Sequence, residues 1–497
     1  MVPLSTPMIQ FLKKNKLSII FLFILFLSGI IFIEKYPHST FHLTSDTYEY
    51  ANIAKNLVLK KNFFVNNLYA LQLAFDFSRK IPVPSILRMP LYPLSISISF
   101  KIFGISDKTI LLTSFLFYII SGIFLLIFLD IFKLEDSNKI LTLIFFMLNP
   151  IYLDLTFKGL SEPFAVSLFF LFLIFLFKGE NLRNFLLSGF FLSLFILTRY
   201  YISLLFLFPA FFIFYRNKVS IKNIIIFLIS VFLPLLPWLI RIYKITDNPF
   251  FNLGFYSLYG FEFANIPYKT SLNIRFSSFI ENKIDSLFFY FKTLDKLTPF
   301  YLFPFAFLFK SSDENLKKLK SFLILSLLIF APILGFINPE HRFLLYLSPL
   351  IILFSISFLN NFKSFFKFFV IFTLILIIHE NKNIIKDGIK RNESFLLSEK
   401  VLKEIESLTS EDKFLISNAD ALIGFYTGRT CIFPLTYFED YDYLFKLIPV
   451  DGIIIFQGVY KLFYMKYSFR DYEDYLKKEF PFTKKFPDGT VIYLRRY

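Results

Sequence analysis

Cysteine, histidine and charged residues are scarce in this sequence of 497 residues. It has one Cys and four His, and only 18% of its residues are charged. The lone Cys431 excludes a disulfide scaffold, and the four His show no spacing typical of a zinc site. Soluble domains carry about a quarter charged residues. The deficit therefore argues against an ordinary soluble domain.

Apolar residues are abundant instead. Hydrophobic residues make up 56% of the chain, 76 residues are Phe, and the mean hydropathy is +0.61. A water-soluble fold of this length has too little interior to hide so much apolar surface. The composition excludes a disordered chain and predicts a mainly α-helical, multi-span membrane protein.

The net charge of +16 is unevenly distributed. Residues 380–497 hold 18 basic and 18 acidic side chains, so residues 1–379 carry the whole excess. Lys and Arg normally fix the orientation of membrane spans, whereas a nucleic-acid protein places its basic excess on a soluble face. The distribution favours a membrane protein that does not bind nucleic acid.

About eleven segments are apolar enough to be spans, since a span needs about 20 apolar residues. The first follows three Lys, as in a signal peptide, but no small-residue cleavage site follows it, and we expect it to be retained. The predicted spans are 17–33, 110–132, 140–157, 162–178, 184–198, 200–215, 223–242, 287–309, 320–337, 343–360 and 364–379.

A cytoplasmic N-terminus places most Lys and Arg of the short loops on the cytoplasmic side. Residues 34–109 then form a long first external loop. Residues 380–497 also lie outside and read as a small α/β domain, with strand-like runs near residues 413–417, 452–457 and 490–494. We therefore expect a membrane domain over 1–379 and an external domain over 380–497, in a protein of the cytoplasmic membrane.

The first external loop contains the most informative polar pattern. Helical periodicity over residues 45–54 places Asp46, Glu49 and Tyr50 on one face. Such a carboxylate can act as a general base. The alternative is a capping box, in which Asp46 only caps the helix and Glu49 supports it.

Arg88 precedes Pro90, Tyr92 and Pro93 in the same loop, and an amphipathic run from there ends at Phe103 and Gly104. A guanidinium beside a helix start can bind phosphate. The alternative is an Arg that anchors the helix among lipid headgroups.

In their order, these residues resemble the bacterial GT-C glycosyltransferases, relatives of the protein O-mannosyltransferases and of the aminoarabinose transferase that modifies lipid A. The resemblance covers roughly residues 10–380. Three shorter patterns add to it: Ser161-Glu162-Pro163, Leu197-Thr198-Arg199 and His341-Arg342-Phe343.

The resemblance implies an inverting transfer of a sugar from a polyprenyl-phosphate donor to an external acceptor. Asp46 holds the position of the general base, with Glu49 or Glu162 as a second acid and Tyr50 and Tyr92 in support. Many relatives have Asp-Glu where this chain has Asp46-Thr47, which weakens the case for a divalent metal. The predicted donor-phosphate ligands are Arg88, Arg199, Arg241 and Arg342.

Other functions fit parts of the pattern. A lipid-linked glycan transporter would show internal repeats, and none is evident. An O-antigen polymerase or ligase also uses lipid-linked sugars, but no Asp-bearing helix after the first span is expected of it. A non-catalytic assembly protein that docks through residues 380–497 is the last alternative.

Overall fold

The computed structural model of the chain describes most of its residues. The described residues are 6–36, 45–251 (without 70, 71, 74, 133 and 180), 302–336, 341–393, 399–433, 444–455 and 469–495 (without 488).

The described helices, numbered here in chain order, account for most of the chain. Three 3₁₀ segments, 76–78, 233–235 and 341–347, accompany them. The helices are α1 (Thr6–Lys14), α2 (Lys16–Lys35), α3 (Ser45–Lys60), α4 (Leu91–Phe103), α5 (Asp107–Leu129), α6 (Asp136–Met147), α7 (Pro150–Phe157), α8 (Glu162–Phe177), α9 (Leu182–Ile196), α10 (Tyr200–Leu205), α11 (Leu207–Arg216), α12 (Ile221–Phe232), α13 (Leu236–Thr246), α14 (Phe303–Leu308), α15 (Glu314–Phe336), α16 (Ser348–Leu359), α17 (Lys363–Glu393), α18 (Glu399–Leu408), α19 (Asp420–Thr427) and α20 (Phe469–Glu479).

The chain divides into two compact units. Unit 1 comprises residues 1–39, 110–237 and 281–387, and unit 2 comprises residues 40–109, 238–280 and 388–497. The first loop thus belongs to the same unit as the C-terminal segment. The predicted assignment of a membrane domain and an external domain to 1–379 and 380–497 stays a prediction.

Five helical segments among the described residues are long and apolar enough to cross a membrane, and a bent pair raises the number to six. They are 16–35, 107–129, 221–246, 342–359 and 365–386, with the pair α6 and α7. The predicted count of about eleven is not confirmed. Helices do lie at the other predicted spans, except at 287–309, which falls largely outside the described residues. Several are short: the 16 residues of α8 extend only about 24 Å, less than the hydrocarbon core of about 30 Å.

The bend between α6 and α7 has a local cause. Pro150 opens α7, and the Asn149 side chain accepts hydrogen bonds from the backbone N–H groups of Ile151 and Tyr152, at 3.0 and 3.2 Å. This is an N-cap, which starts a new helix in a new direction, here at 50° to α6.

Unit 1 is a helical bundle in which α8 and α16 are the most deeply buried helices. Aromatic side chains fill the space around α8, where Phe169 packs against Phe206 and Tyr346 at ring-centroid distances of 4.8 and 5.9 Å. A helix that is apolar on all sides belongs in such a core. Glu162, its first residue, is consequently buried as well.

Unit 2 contains a six-stranded mixed sheet in the order β2-β5-β4-β6-β8-β7. The first four strands pair in parallel and the last three in antiparallel fashion. A separate antiparallel pair joins β1 to β3. The strands are β1 (Phe64–Val65), β2 (Asn67–Leu68), β3 (Val83–Pro84), β4 (Phe414–Ser417), β5 (Thr430–Ile432), β6 (Val450–Ile455), β7 (Phe482–Lys485) and β8 (Val491–Leu494).

The first loop and the C-terminal segment share one hydrophobic core. Ile53 of α3 and Leu68 of β2 are buried in the same cluster as Ile416 and Ile453. Strand β2 also extends the sheet, with Asn67 opposite Cys431. Burial of this apolar surface stabilises α3, a helix whose sequence is only weakly apolar. The fold of unit 2 therefore fixes the position of Asp46 and Glu49.

Candidate active-site clusters

The first-loop cluster is built by two segments of unit 2. Helix α3 begins at Ser45, so Asp46 and Glu49 lie one turn apart near its start. Arg88 precedes α4, which begins after Pro90 and ends at Phe103, followed by Gly104 at φ +86°, where the absence of a Cβ removes the strain. The sequence predicted this helix and both of its limits.

Arg88 joins the two carboxylates of α3. Its Nε donates to Glu49 Oε2 at 2.8 Å, and its Nη2 lies 2.7 Å from the same oxygen and donates to Asp46 Oδ1. The Glu49 side chain is only 2% exposed, whereas that of Asp46 is 17% exposed. With all three groups ionised the cluster has a formal charge of −1. Asp46 is therefore the more accessible of the two carboxylates.

Two tyrosine rings pack next to the Arg88 guanidinium and support this arrangement. Arg88 lies over the Tyr50 ring at 5.1 Å, a cation–π distance, and Tyr50 packs edge-on against Tyr92 at 5.1 Å. Both rings are buried. The structure thus brings together five of the predicted site residues: Asp46, Glu49, Tyr50, Arg88 and Tyr92.

The surroundings of Glu49 shift its pKa in opposite directions. Burial raises the pKa of Glu49, the Arg88 guanidinium lowers it, and the nearby Asp46 carboxylate raises it again, so the pKa ends above its ordinary value. Arg88 therefore favours the ionised form of Glu49 and partly offsets the effect of burial on its pKa. Removal of Arg88 would leave two adjacent carboxylates without their shared cation.

Tyr69 is a member of this cluster that the sequence analysis did not identify. Its hydroxyl is 3.5 Å from Glu49 Oε2, and its surroundings include Arg88, Asp46 and Asp420. Burial, followed by Glu49, raises the pKa of Tyr69 well above its ordinary value, so it remains a neutral donor. It lies in an irregular stretch after β2, where no periodic pattern points to it.

A second cluster lies in unit 1 at the start of α8. Arg199 Nη2 donates to Glu162 Oε1, and Arg342 Nη1 is 3.7 Å from the same oxygen. The Glu162 side chain is 0% exposed, and its other oxygen, Oε2, has no hydrogen-bond partner in the part of the chain that the structure describes. Two guanidiniums and one carboxylate give a formal charge of +1. Glu162, Arg199 and Arg342 each come from one of the three short sequence patterns that resemble the GT-C glycosyltransferases.

Arg241 is not part of either cluster. Its guanidinium donates to the backbone carbonyls of Ser85 and Phe63, at 2.8 and 3.0 Å, and lies 5.0 Å from the Phe63 and Trp238 rings. These contacts tie α13 to the first loop within unit 2. The prediction that Arg241 binds phosphate stays a prediction, with no support from its surroundings.

Within the described ranges no group of three or more His, Cys, Asp or Glu side chains is arranged to hold a metal ion. Asp46 and Glu49 are held by Arg88, a cation that already occupies the place between them. These two carboxylates therefore do not fit a metal site in this arrangement.

The fold is similar to that of a known membrane transferase. No protein-family model and no curated protein matches the sequence. Among solved structures, ArnT from Cupriavidus metallidurans bound to undecaprenyl phosphate is similar with a TM-score of 0.58 and 10% identity, over 95% of this chain and 98% of that chain. The apo state of the same protein gives 0.54 and 9%, over 95% and 97%. ArnT is a lipid A aminoarabinose transferase, so the predicted GT-C resemblance is confirmed at the level of the fold.

Proposed function

We propose that this chain is a membrane glycosyltransferase that moves a sugar from a polyprenyl-phosphate donor to an acceptor hydroxyl. The observation that carries the proposal is the first-loop cluster, a partly exposed Asp46 held by Arg88 beside the buried Glu49, in a fold similar to that of ArnT. The order Asp46, Arg88, Glu162, Arg199, Arg342 along the chain supports it, since the GT-C resemblance rests on the same residues.

In the proposed reaction Asp46 accepts the proton of the acceptor hydroxyl. The hydroxyl oxygen forms a bond to the anomeric carbon, and the bond from that carbon to the phosphate oxygen breaks, leaving the electron pair on the carrier phosphate. A hydroxyl ionises far above neutral pH, so a positioned carboxylate accelerates this step. Attack opposite to the leaving group inverts the anomeric centre.

We assign the donor phosphate to Arg199 and Arg342. Two guanidiniums against one carboxylate leave a positive balance, which favours an anion and stabilises the charge that develops as the carrier departs. Glu162 holds the two Arg side chains in place. The sequence suggested Arg88 first for this role, but Arg88 lies between two carboxylates, where a phosphate would meet negative charge.

The proposed location is the cytoplasmic membrane, with the N-terminus inside and the first loop and the C-terminal segment outside. The distribution of Lys and Arg among the short loops supports this orientation. A polyprenyl-phosphate donor and an external acceptor are the partners it requires.

The experiment is incubation of the purified protein in lipid with a panel of polyprenyl-phosphate sugars and acceptor extracts, with release of carrier phosphate as the readout. We expect release from at least one donor, and its loss in Asp46→Asn. Movement of an intact donor across the bilayer without release would instead indicate a lipid-linked glycan transporter.

A further inference from the structure

Asp420 is a buried acid for which neither the sequence nor the proposed reaction provides a role. It is the first residue of α19, in the C-terminal segment, and only 3% of it is exposed. Among the described residues, its Oδ2 has no hydrogen-bond partner. A buried carboxylate is costly unless something nearby compensates it, so its surroundings need an explanation.

Helix α19 is docked tightly against the first loop. The Asn52 amide of α3 donates to the backbone oxygen of Ala421 at 2.9 Å, one residue after Asp420. Gly424 packs so closely on the Asn66 carbonyl that a Cβ would lie 2.6 Å from its oxygen. The first contact holds the start of α19 beside the part of α3 that carries Glu49, since Asn52 follows Glu49 by three residues, close to one turn. The second contact packs the middle of α19 against the residue that precedes β2.

Three more titratable groups face Asp420 from the elements around it. They are Glu49 of α3, Tyr69 after β2, and Cys431 of β5. Asn67 of β2 also faces Asp420, and its amide favours the charged form. Neither polar atom of that amide makes a hydrogen bond of ordinary geometry with any described residue, and Asn67 is 1% exposed. The seam between α3, β2 and α19 is therefore polar, dry and incompletely hydrogen-bonded.

We propose that Asp420 is a positioning residue, which acts through Glu49 to set the charge that the Asp46–Arg88 pair presents to the substrate. The effect of Asp420 on the reaction rests on the proposed function. The electrostatic coupling between Asp420 and Glu49 rests only on the docking of α19 against α3. The C-terminal segment thereby contributes to the chemistry of the first loop as well as to its stability.

The physical reason is mutual repulsion between two buried carboxylates. Burial raises the pKa of Asp420 to about 7, and the Glu49 carboxylate contributes to the increase. At lower pH Asp420 is protonated and neutral, so Asp46 and Arg88 are the charged groups that act on Glu49. As the pH rises through about 7, Asp420 ionises and a further negative charge appears behind Glu49.

The direct test observes the proton itself. Infrared spectroscopy of the purified protein in lipid follows the C=O band of protonated carboxyl groups as the pH is changed, without donor or acceptor. We expect a band with a midpoint near pH 7 that is absent in Asp420→Asn. In Glu49→Gln the midpoint should move to lower pH, because the repelling charge is gone. Asp474→Asn, an exposed acid of the same segment, is the matched control and should leave the band unchanged.

An unchanged midpoint in Glu49→Gln, or no band that depends on Asp420, would overturn the inference. A transfer assay then tests the consequence: the dependence of kcat on pH around neutrality should disappear in Asp420→Asn, and its persistence there would overturn the positioning role. If the wild type transfers no sugar at all, the proposed function fails, while the infrared result still decides whether Asp420 and Glu49 are coupled.

Discussion

The first-loop cluster and the Glu162 cluster have opposite compositions. In unit 2 one guanidinium lies between two carboxylates, and in unit 1 one carboxylate lies between two guanidiniums. With every group ionised, their formal charges are −1 and +1. A cluster with negative balance suits the acceptance of a proton, and a cluster with positive balance suits a phosphate. The comparison teaches that the presence of ion pairs does not assign a role to a cluster, whereas the net charge that remains after the ion pairs form does.

The largest expected effect comes from Asp46. Asp46→Asn keeps the shape and the hydrogen-bonding capacity of the side chain but cannot accept the proton. Loss of a positioned base typically lowers the rate about 10²- to 10⁴-fold, roughly 3–5 kcal/mol of barrier. Single-turnover measurement of carrier-phosphate release checks it.

Asp76→Asn is the matched control, because Asp76 lies in the same loop with a 92% exposed side chain and should change little. If Asp46→Asn retains nearly full activity while Asp46→Ala loses stability, Asp46 only supports the first turn of α3. The base would then have to be Glu49 or Glu162.

Glu162 should show the opposite pattern, a loss of stability. Glu162→Gln removes the carboxylate shared by Arg199 and Arg342 in a fully buried position. Removal of one partner from a buried ion pair costs about 3–5 kcal/mol, because the remaining charge stays buried and unpaired. Thermal unfolding in detergent measures the loss.

Asp154→Asn is the comparison for that experiment. Asp154 pairs with Lys158 at 2.6 Å near the surface of unit 1, with both side chains about a quarter exposed. Such a pair contributes about 0–1 kcal/mol. Equal losses in Glu162→Gln and Asp154→Asn would contradict the view that Glu162 organises the positive cluster.

Arg199 should affect the donor more than the chemical step. Arg199→Lys keeps a positive charge but loses the planar fork that matches a phosphate. Hydrogen bonds to charged groups contribute about 1.5–3 kcal/mol, so KM for the donor should rise roughly 10- to 100-fold with a smaller change in kcat. Arg216→Lys, an exposed position, provides the control. A change in kcat alone would exclude a role in donor binding.

Tyr69 should give the smallest effect. Its hydroxyl is 3.5 Å from Glu49, a long contact. Tyr69→Phe removes a weak neutral donor and keeps the ring, so we expect a loss of at most about 1 kcal/mol in transition-state stabilisation, less than tenfold in kcat/KM. A loss as large as that of Asp46→Asn would mean that Tyr69 touches the substrate.

Local patterns in the sequence predicted much of this structure. Long apolar runs located nearly every helix of unit 1, and the Pro and Gly residues around α4 marked both its limits. Three strands of the sheet, β4, β6 and β8, lie where strand-like runs predicted them. The grouping of Asp46 and Glu49 followed from helical spacing alone.

The rest depends on long-range packing that local patterns do not contain. Strand β2 has two residues and pairs with β5 across more than 360 positions of sequence. No local pattern singles out Asp420, which begins a helix that docks on α3 and places its carboxylate near Glu49. The eleven predicted spans reflect apolar length, and helices such as α8 are too short to meet the same criterion. The sequence predicts Arg88 as a phosphate ligand because a guanidinium beside a helix start can bind phosphate. No local pattern shows that two carboxylates surround this side chain.

Equilibrium binding of undecaprenyl phosphate to the purified protein tests the central claim, that the leftover charge of each cluster decides its partner. We expect Arg342→Lys to weaken binding roughly tenfold or more, whereas Arg88→Lys leaves the affinity nearly unchanged. If Arg88→Lys weakens binding and Arg342→Lys does not, the phosphate lies at the first-loop cluster, and the assignment from leftover charge is wrong.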